Sequence, residues 1–172
     1  MKTCSFFGHR NTKQTQELCE KVRETVVRLI EEKDVKIFLF GSASRFDELC
    51  LKIVTEVKSE YPEIRRIYVR SQYPYVEKEY KAYLLQSYDD TFMPSGMEKA
   101  GKAAYVERNQ AMINQSDVCV FYYDENYTLP RRKQSKRSFG SYQSNSGTLL
   151  AYEYAKQKKK EIINLYRGEL CF

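Results

Sequence analysis

The chain has 172 residues, of which 42% are hydrophobic and 30% charged, with only 7 Gly and 4 Pro. This composition excludes a disordered, collagen-like or low-complexity polymer, and the length suits one domain spanning 1–172 that buries about 70% of its unfolded surface. The formal net charge of +6 favours an anionic partner in general terms, without separating nucleic acid from a small anion or from plain solubility.

No apolar run approaches the length of a membrane span, and Met1-Lys2-Thr3-Cys4 leads straight into a strand-like segment, which points to a cytoplasmic protein. The five cysteines, Cys4, Cys19, Cys50, Cys119 and Cys171, are scattered and odd in number with no C-x-x-C pair, so reduced thiols in the core are expected. His9 is the only histidine, which argues against a histidine-rich zinc site; no metal site is expected.

Residues 3–7 predict a short buried strand, broken by Gly8-His9-Arg10. A helix follows from near Thr12 or Lys13, and Leu18, Val22, Val26, Leu29 and Ile30 give it one apolar face until Lys33-Asp34. Residues 36–40 predict a second strand, ended by Gly41-Ser42-Ala43-Ser44, after which Phe46, Leu49, Cys50, Ile53, Val54 and Val57 mark an amphipathic helix of about three turns. Pro62 closes that helix, and 64–69 supplies a third strand whose Arg65, Arg66 and Tyr68 suggest a place nearer the sheet edge. A Tyr-rich insertion near 71–101 carries one short helix at 76–85. Residues 103–115 then read as a helix and 118–122 as the clearest central strand. A basic loop near 124–145 precedes Ser146-Gly147-Thr148, which opens a helix with Leu150, Ala151, Tyr154 and Ala155 on its buried side, before a last strand at 161–165.

Strands that alternate with helices need crossover connections, and these make a parallel sheet covered on both faces. The expected fold is therefore α/β: a three-layer α/β/α Rossmann-like domain with a mostly parallel central sheet of about five strands. In such sheets a ligand sits beyond the carboxyl ends of the strands, where loops and helix amino ends converge.

Three loops there have unusual composition: Gly8-His9-Arg10, Gly41-Ser42-Ala43-Ser44 and Asn145-Ser146-Gly147-Thr148. Small residues let the backbone approach a ligand, and free amides at a helix start favour a phosphate or carboxylate. Ser42, Ser44, Ser146 and Thr148 add hydroxyl donors, although Ser and Thr equally serve as plain helix caps. Arg10 can clamp a phosphate bidentately, and His9 can stack, shuttle a proton or simply fix its loop. Asp47 either accepts from a ribose hydroxyl or complements the dipole of the helix it begins. Arg108 and Asn109 fall late in the helix ahead of the clearest strand, where an arginine is ordinarily a solvated side chain. Glu153, five residues after Thr148, is a candidate catalytic carboxylate for a ribose or glycosidic carbon, in competition with an ordinary exposed helical glutamate. Arg131, Arg132, Lys133, Lys136 and Arg137 make a basic run that is either a solvated loop or a nucleic-acid contact.

Four segments in this order resemble the SLOG superfamily of Rossmann-like proteins, which includes Smf/DprA DNA-processing proteins and LOG-type phosphoribohydrolases, and within it the YpsA-like branch. They are Phe6-Phe7-Gly8-His9-Arg10; Gly41-Ser42-Ala43-Ser44-Arg45-Phe46-Asp47; Arg108-Asn109 through Ser116-Asp117 to the strand at Val118; and Ser146-Gly147-Thr148 to Glu153-Tyr154-Ala155. The resemblance spans roughly residues 3–165. It implies a pocket for a nucleotide or an NAD-derived ligand, with Gly8, Arg10, Gly41, Ser42, Ser146, Gly147 and Thr148 around phosphate and sugar. LOG-type enzymes place their glutamate two or three residues after the threonine of a Pro-Gly-Gly-x-Gly-Thr loop, whereas Glu153 follows Thr148 at a longer interval. A binding protein or sensor is thus the expected function, with a nucleotide N-glycosidase and a nucleic-acid-binding accessory protein as alternatives. Self-association into a homo-oligomer is left open.

Overall fold

The computed structural model describes residues 1–41, 43–71, 78–97, 103–127 and 146–166. In chain order the elements are β1 Lys2–Gly8, α1 Gln16–Lys33, β2 Val35–Phe40, α2 Arg45–Val57, β3 Arg65–Val69, α3 Lys78–Leu84, β4 Asp90–Phe92, α4 Ala104–Gln115, β5 Val118–Tyr122, α5 Gly147–Gln157 and β6 Glu161–Asn164. The strands form one sheet in the order β4-β3-β2-β1-β5-β6, and every neighbouring pair is parallel. The fold is thus the expected α/β Rossmann-like arrangement, with six strands where the sequence predicts about five. The extra strand is β4, whose three residues are too few to show a period of two.

The chain walks outward from β1 to β4, then returns across β1 to lay down β5 and β6. Because crossovers between parallel strands are right-handed, reversing the direction of travel puts the helices on opposite faces. One core accordingly joins Phe6, Phe38, Phe40 and Val120 to Leu18, Val22 and Val26 of α1 and Phe46, Cys50 and Val54 of α2. The other joins Phe7, Leu39, Cys119 and Phe121 to Met112 and Ile113 of α4 and Ala151 and Ala155 of α5. Both faces of β1, β2 and β5 are covered, so β5 and residues 37–40 of β2 read as unbroken apolar runs, and in β1 the buried Ser5 between Cys4 and Phe6 accepts from Ser116 Oγ at 2.8 Å. Burying one such Phe contributes on the order of 2 kcal/mol.

Three local expectations are corrected. Helix α1 starts at Gln16, not near Thr12, because Thr15 is the N-cap and accepts the Leu18 N–H at 3.2 Å, while Thr12 Oγ1 donates back to the His9 carbonyl at 2.8 Å. Leu150 is 37% exposed and Tyr154 half-buried, while Ala151 and Ala155 are buried as expected and Thr148 joins them. The small side chains let α5 lie close to the sheet. Arg108 is the fifth residue of α4, near its beginning rather than late. Cys4, Cys19, Cys50 and Cys119 are free thiols. Burial pushes the Cys119 thiol up to about 11, which keeps it protonated and inert. Among the described residues no helix is long and apolar enough to cross a membrane.

The edge strand β4 is held by polar contacts as well as by its ladder. Asp89 accepts from the Arg66 backbone N–H at 2.8 Å and from Arg66 Nε and Nη2 at 3.1 Å each, with Lys58 Nζ at 3.4 Å. Burial works against ionisation of Asp89, but the Arg66 hydrogen bonds and the Arg66 and Lys58 charges outweigh it, and the carboxyl is held at about 2. A carboxyl depressed in the folded state stabilises fully above its unfolded value of 3.8, and that contribution is lost as pH falls through about 2. Asp89→Asn should therefore lower the melting temperature near neutrality and flatten its fall between about pH 4 and pH 2, as followed by circular dichroism. An unchanged acid limb would remove Asp89 as the cause.

Candidate functional site

A parallel sheet with returning helices puts every strand's carboxyl end and the amino ends of α1, α2, α4 and α5 on one edge. Gly8 to Arg10 after β1, Gly41 after β2 and the Ser146 cap of α5 lie there. Their contacts divide the edge into two halves.

Over β2 and β3 the floor is made by Gly41. A Cβ at this position would lie 2.8 Å from Met112 Sδ and 2.9 Å from Arg108 Nε, so the missing side chain is what lets α4 bring Arg108 across the end of β2. Arg108 is only 4% exposed. Its Nε and Nη2 donate to Asn109 Oδ1 at 3.3 and 3.1 Å, which fixes the plane of the guanidinium, and Nη1 makes no hydrogen bond among the described residues. Burial pulls the Arg108 pKa below its ordinary value, and the charge of Asp47 opposes this. Asp47 is itself buried, in the first turn of α2, and its N–H donates to the capping Ser44 Oγ at 3.1 Å. Tyr68 and Tyr88 tilt against one another with 5.1 Å between ring centroids, near this pair. Burial raises both phenols, and the Asp47 charge adds to the rise, so they are neutral hydroxyl groups near pH 7.

Over β1 and β5 the edge is clasped by His9. Asp124 N–H donates to His9 Nε2 at 2.9 Å, and Tyr127 stacks on the imidazole with 3.9 Å between ring centroids. Since Nε2 accepts, the neutral ring carries its proton on Nδ1, which is buried and without a partner among the described residues. Tyr123 tilts against His9 at 5.9 Å and stacks on Tyr152 of α5 at 4.6 Å, so rings connect this clasp to the helix that Ser146 caps through the Leu149 N–H. Thr148 is buried in the first turn of that helix, and Gly147 is exposed.

Gly8 joins the two halves. A Cβ there would lie 2.5 Å from Phe46 Cβ, so α2 packs directly on the end of β1. The Arg45 N–H also donates to the Arg10 carbonyl at 3.1 Å, while the Arg10 side chain is exposed. Thus Gly8, Arg10, Gly41, Ser44, Asp47, Arg108 and Asn109 are drawn together around the start of α2, and His9 is committed to the loop after β5. Glu153 stands apart: its side chain is 60% exposed, more than one turn into α5, and 3.8 Å from Lys156. Ser42, Asn145 and the basic run Arg131, Arg132, Lys133, Lys136 and Arg137 lie outside the described residues, as do 72–77 and 98–102 of the Tyr-rich insertion.

Sequence reading missed Tyr68, Arg70, Tyr105 and Asp124. Arg70 directly follows β3 as Arg10 follows the loop after β1, a strand-end position that could have been noticed. Tyr68 and Tyr105 carry no local signal beyond the chain's tyrosine count of 15.

Two outcomes follow from this geometry. Gly8→Ala should cost about 1–3 kcal/mol in urea unfolding, because neither the Phe46 Cβ nor the β1 backbone can move aside; native-like stability would show that α2 is free to shift. Burial lowers the His9 pKa from 6.5, against the Asp124 charge. A lowered histidine contributes stability above its unfolded value that is lost as pH falls below 6.5. The melting temperature should therefore drop on acidification between about pH 8 and pH 5, and His9→Gln should remove that part of the drop.

Comparison with known protein families matches residues 4–166 to the family model described as the YspA SLOG family. A search of curated proteins finds no match. The matched span runs from within β1 to just past β6 and takes in all the loops and helix starts that build the edge. The chain belongs to the YspA SLOG family.

Proposed function

We propose that the chain is a cytoplasmic, single-domain binding protein or sensor for a nucleotide or nucleotide-derived ligand, held at the carboxyl edge of the sheet. The observation that carries this reading is Arg108: a guanidinium that is almost wholly buried, fixed in plane by Asn109, with Nη1 making no hydrogen bond among the described residues, near the capped start of α2. A buried cation at a helix amino end attracts a phosphate through both its own charge and the helix dipole. The low local dielectric strengthens that attraction. Gly41 supports the reading because its lack of a side chain is what gives Arg108 its place. Arg10 and Arg70, at the ends of the flanking loops and strand, supply further positive charge along the edge.

Binding is favoured over cleavage of an N-glycosidic bond. A carboxylate acting on an oxocarbenium-like centre works in a water-excluded site, and Glu153 is exposed and paired with a lysine on the outer side of α5.

A thermal-shift screen of nucleoside mono- and diphosphates tests this. A ligand at about 100 times its Kd stabilises the native chain by about 2.7 kcal/mol through mass action. Arg108→Lys keeps the charge but loses the planar fork, and should weaken binding about tenfold. If no nucleotide raises the melting temperature of the native chain, the reading fails.

A further inference from the structure

We infer that the ligand at this edge is an anion joined to an aromatic ring system, that Tyr80 and Tyr105 grip the ring above the end of β3, and that the site leaves the identity of the base unread. The inference rests on the proposed reading of Arg108 as the anion contact and adds where the rest of the ligand lies.

Tyr105 is in the first turn of α4 and is 56% exposed, yet its ring lies 5.5 Å from the Arg108 guanidinium carbon. The phenol thus borders the buried cation while showing most of its surface to solvent. Tyr80 approaches from the other side. The chain leaves β3 at the carboxyl edge and enters β4 at the opposite one, so α3 between them runs away from the carboxyl edge and its early residues lie nearest the site. Tyr80 is the third residue of α3 and is 41% exposed. Its phenol acts electrostatically on Arg70 just after β3, and on Tyr68 and Tyr88. Tyr83, one turn on, stacks against Tyr80 with 6.4 Å between centroids and 17° between planes, which steadies the Tyr80 ring without covering it.

Two large rings on different helices, each exposed, with Tyr105 against Arg108 and Tyr80 near Arg70, both act on the Tyr68 phenol between them and contribute little to the core. They present π-faces where an extension of an Arg108-bound anion would reach. Stacking reads the face that every base shares. Among the described residues, the Asn109 amide beside Arg108 spends its carbonyl oxygen on that guanidinium instead of a base edge.

Isothermal titration calorimetry of the native chain, Tyr80→Ala, Tyr105→Ala and the two Tyr→Phe variants tests this with AMP, GMP, CMP, UMP, ribose 5-phosphate and inorganic phosphate. The four nucleotides should bind the native chain within about tenfold of one another, and ribose 5-phosphate about tenfold more weakly than any of them. Each alanine variant should lose about tenfold for nucleotides, with no change for ribose 5-phosphate, and each phenylalanine variant should restore nucleotide binding. Nucleotides bound no better than ribose 5-phosphate, alanine variants with native nucleotide affinity, or one base preferred by much more than tenfold would each overturn the inference while leaving an anion site at Arg108 standing. No binding of any of the six probes to the native chain would remove the functional reading and this inference together.

Discussion

A sheet in which every neighbouring pair of strands is parallel can be connected only by crossovers, and here the direction of travel reverses once, at β1. From that single constraint come both the opposite placement of α1 and α2 against α4 and α5 and the gathering of helix amino ends on one edge. It also brings into play the two most confined glycines among the described residues. Gly8 is where α2 from one layer closes onto β1, and Gly41 is where α4 from the other layer reaches over β2. Larger residues at either place would hold the layers apart, and the polar groups now assembled between them would not meet.

The assembly that results is unequal. Over β1 and β5 the polar capacity is largely spent inside the protein: His9 Nε2 takes the Asp124 N–H, and Tyr127 covers the imidazole. That half behaves as a clasp across the switch point. Over β2 and β3, Arg108 is buried with Nε and Nη2 held by Asn109, and Nη1 makes no hydrogen bond among the described residues. Desolvating an arginine is costly, and the nearby charge of Asp47 offsets only part of that cost. An anion arriving at Arg108 would complete what Asp47 begins, which is a physical reason for a site here rather than at the clasp.

The tyrosines are unequal as well. Tyr68 and Tyr88 are half-buried and kept neutral, tilted against one another, with Tyr88 also against Phe40. Tyr80 and Tyr105 are exposed. Rings of one residue type thus differ in exposure across the same edge.

Much of the architecture is determined by the sequence itself, because it is written in local periods. Residues such as Phe6, Phe38, Phe40 and Val120 fall in unbroken apolar runs that only doubly covered strands tolerate, and Leu18, Val22 and Val26 repeat at helical spacing, so the α/β class and most elements were legible. The glycine and hydroxyl residues at Gly8, Gly41, Ser44 and Ser146 were legible as turns and caps for the same reason. What tertiary structure alone decided is which of them meet. That Gly41 makes room for Arg108, that His9 is spent on Asp124, and that Glu153 faces solvent are contacts, or their lack, between positions far apart in the chain. Short β4 was hidden because three residues cannot display a period, and Tyr105 because a ring's exposure depends on its neighbours in space rather than on those in sequence.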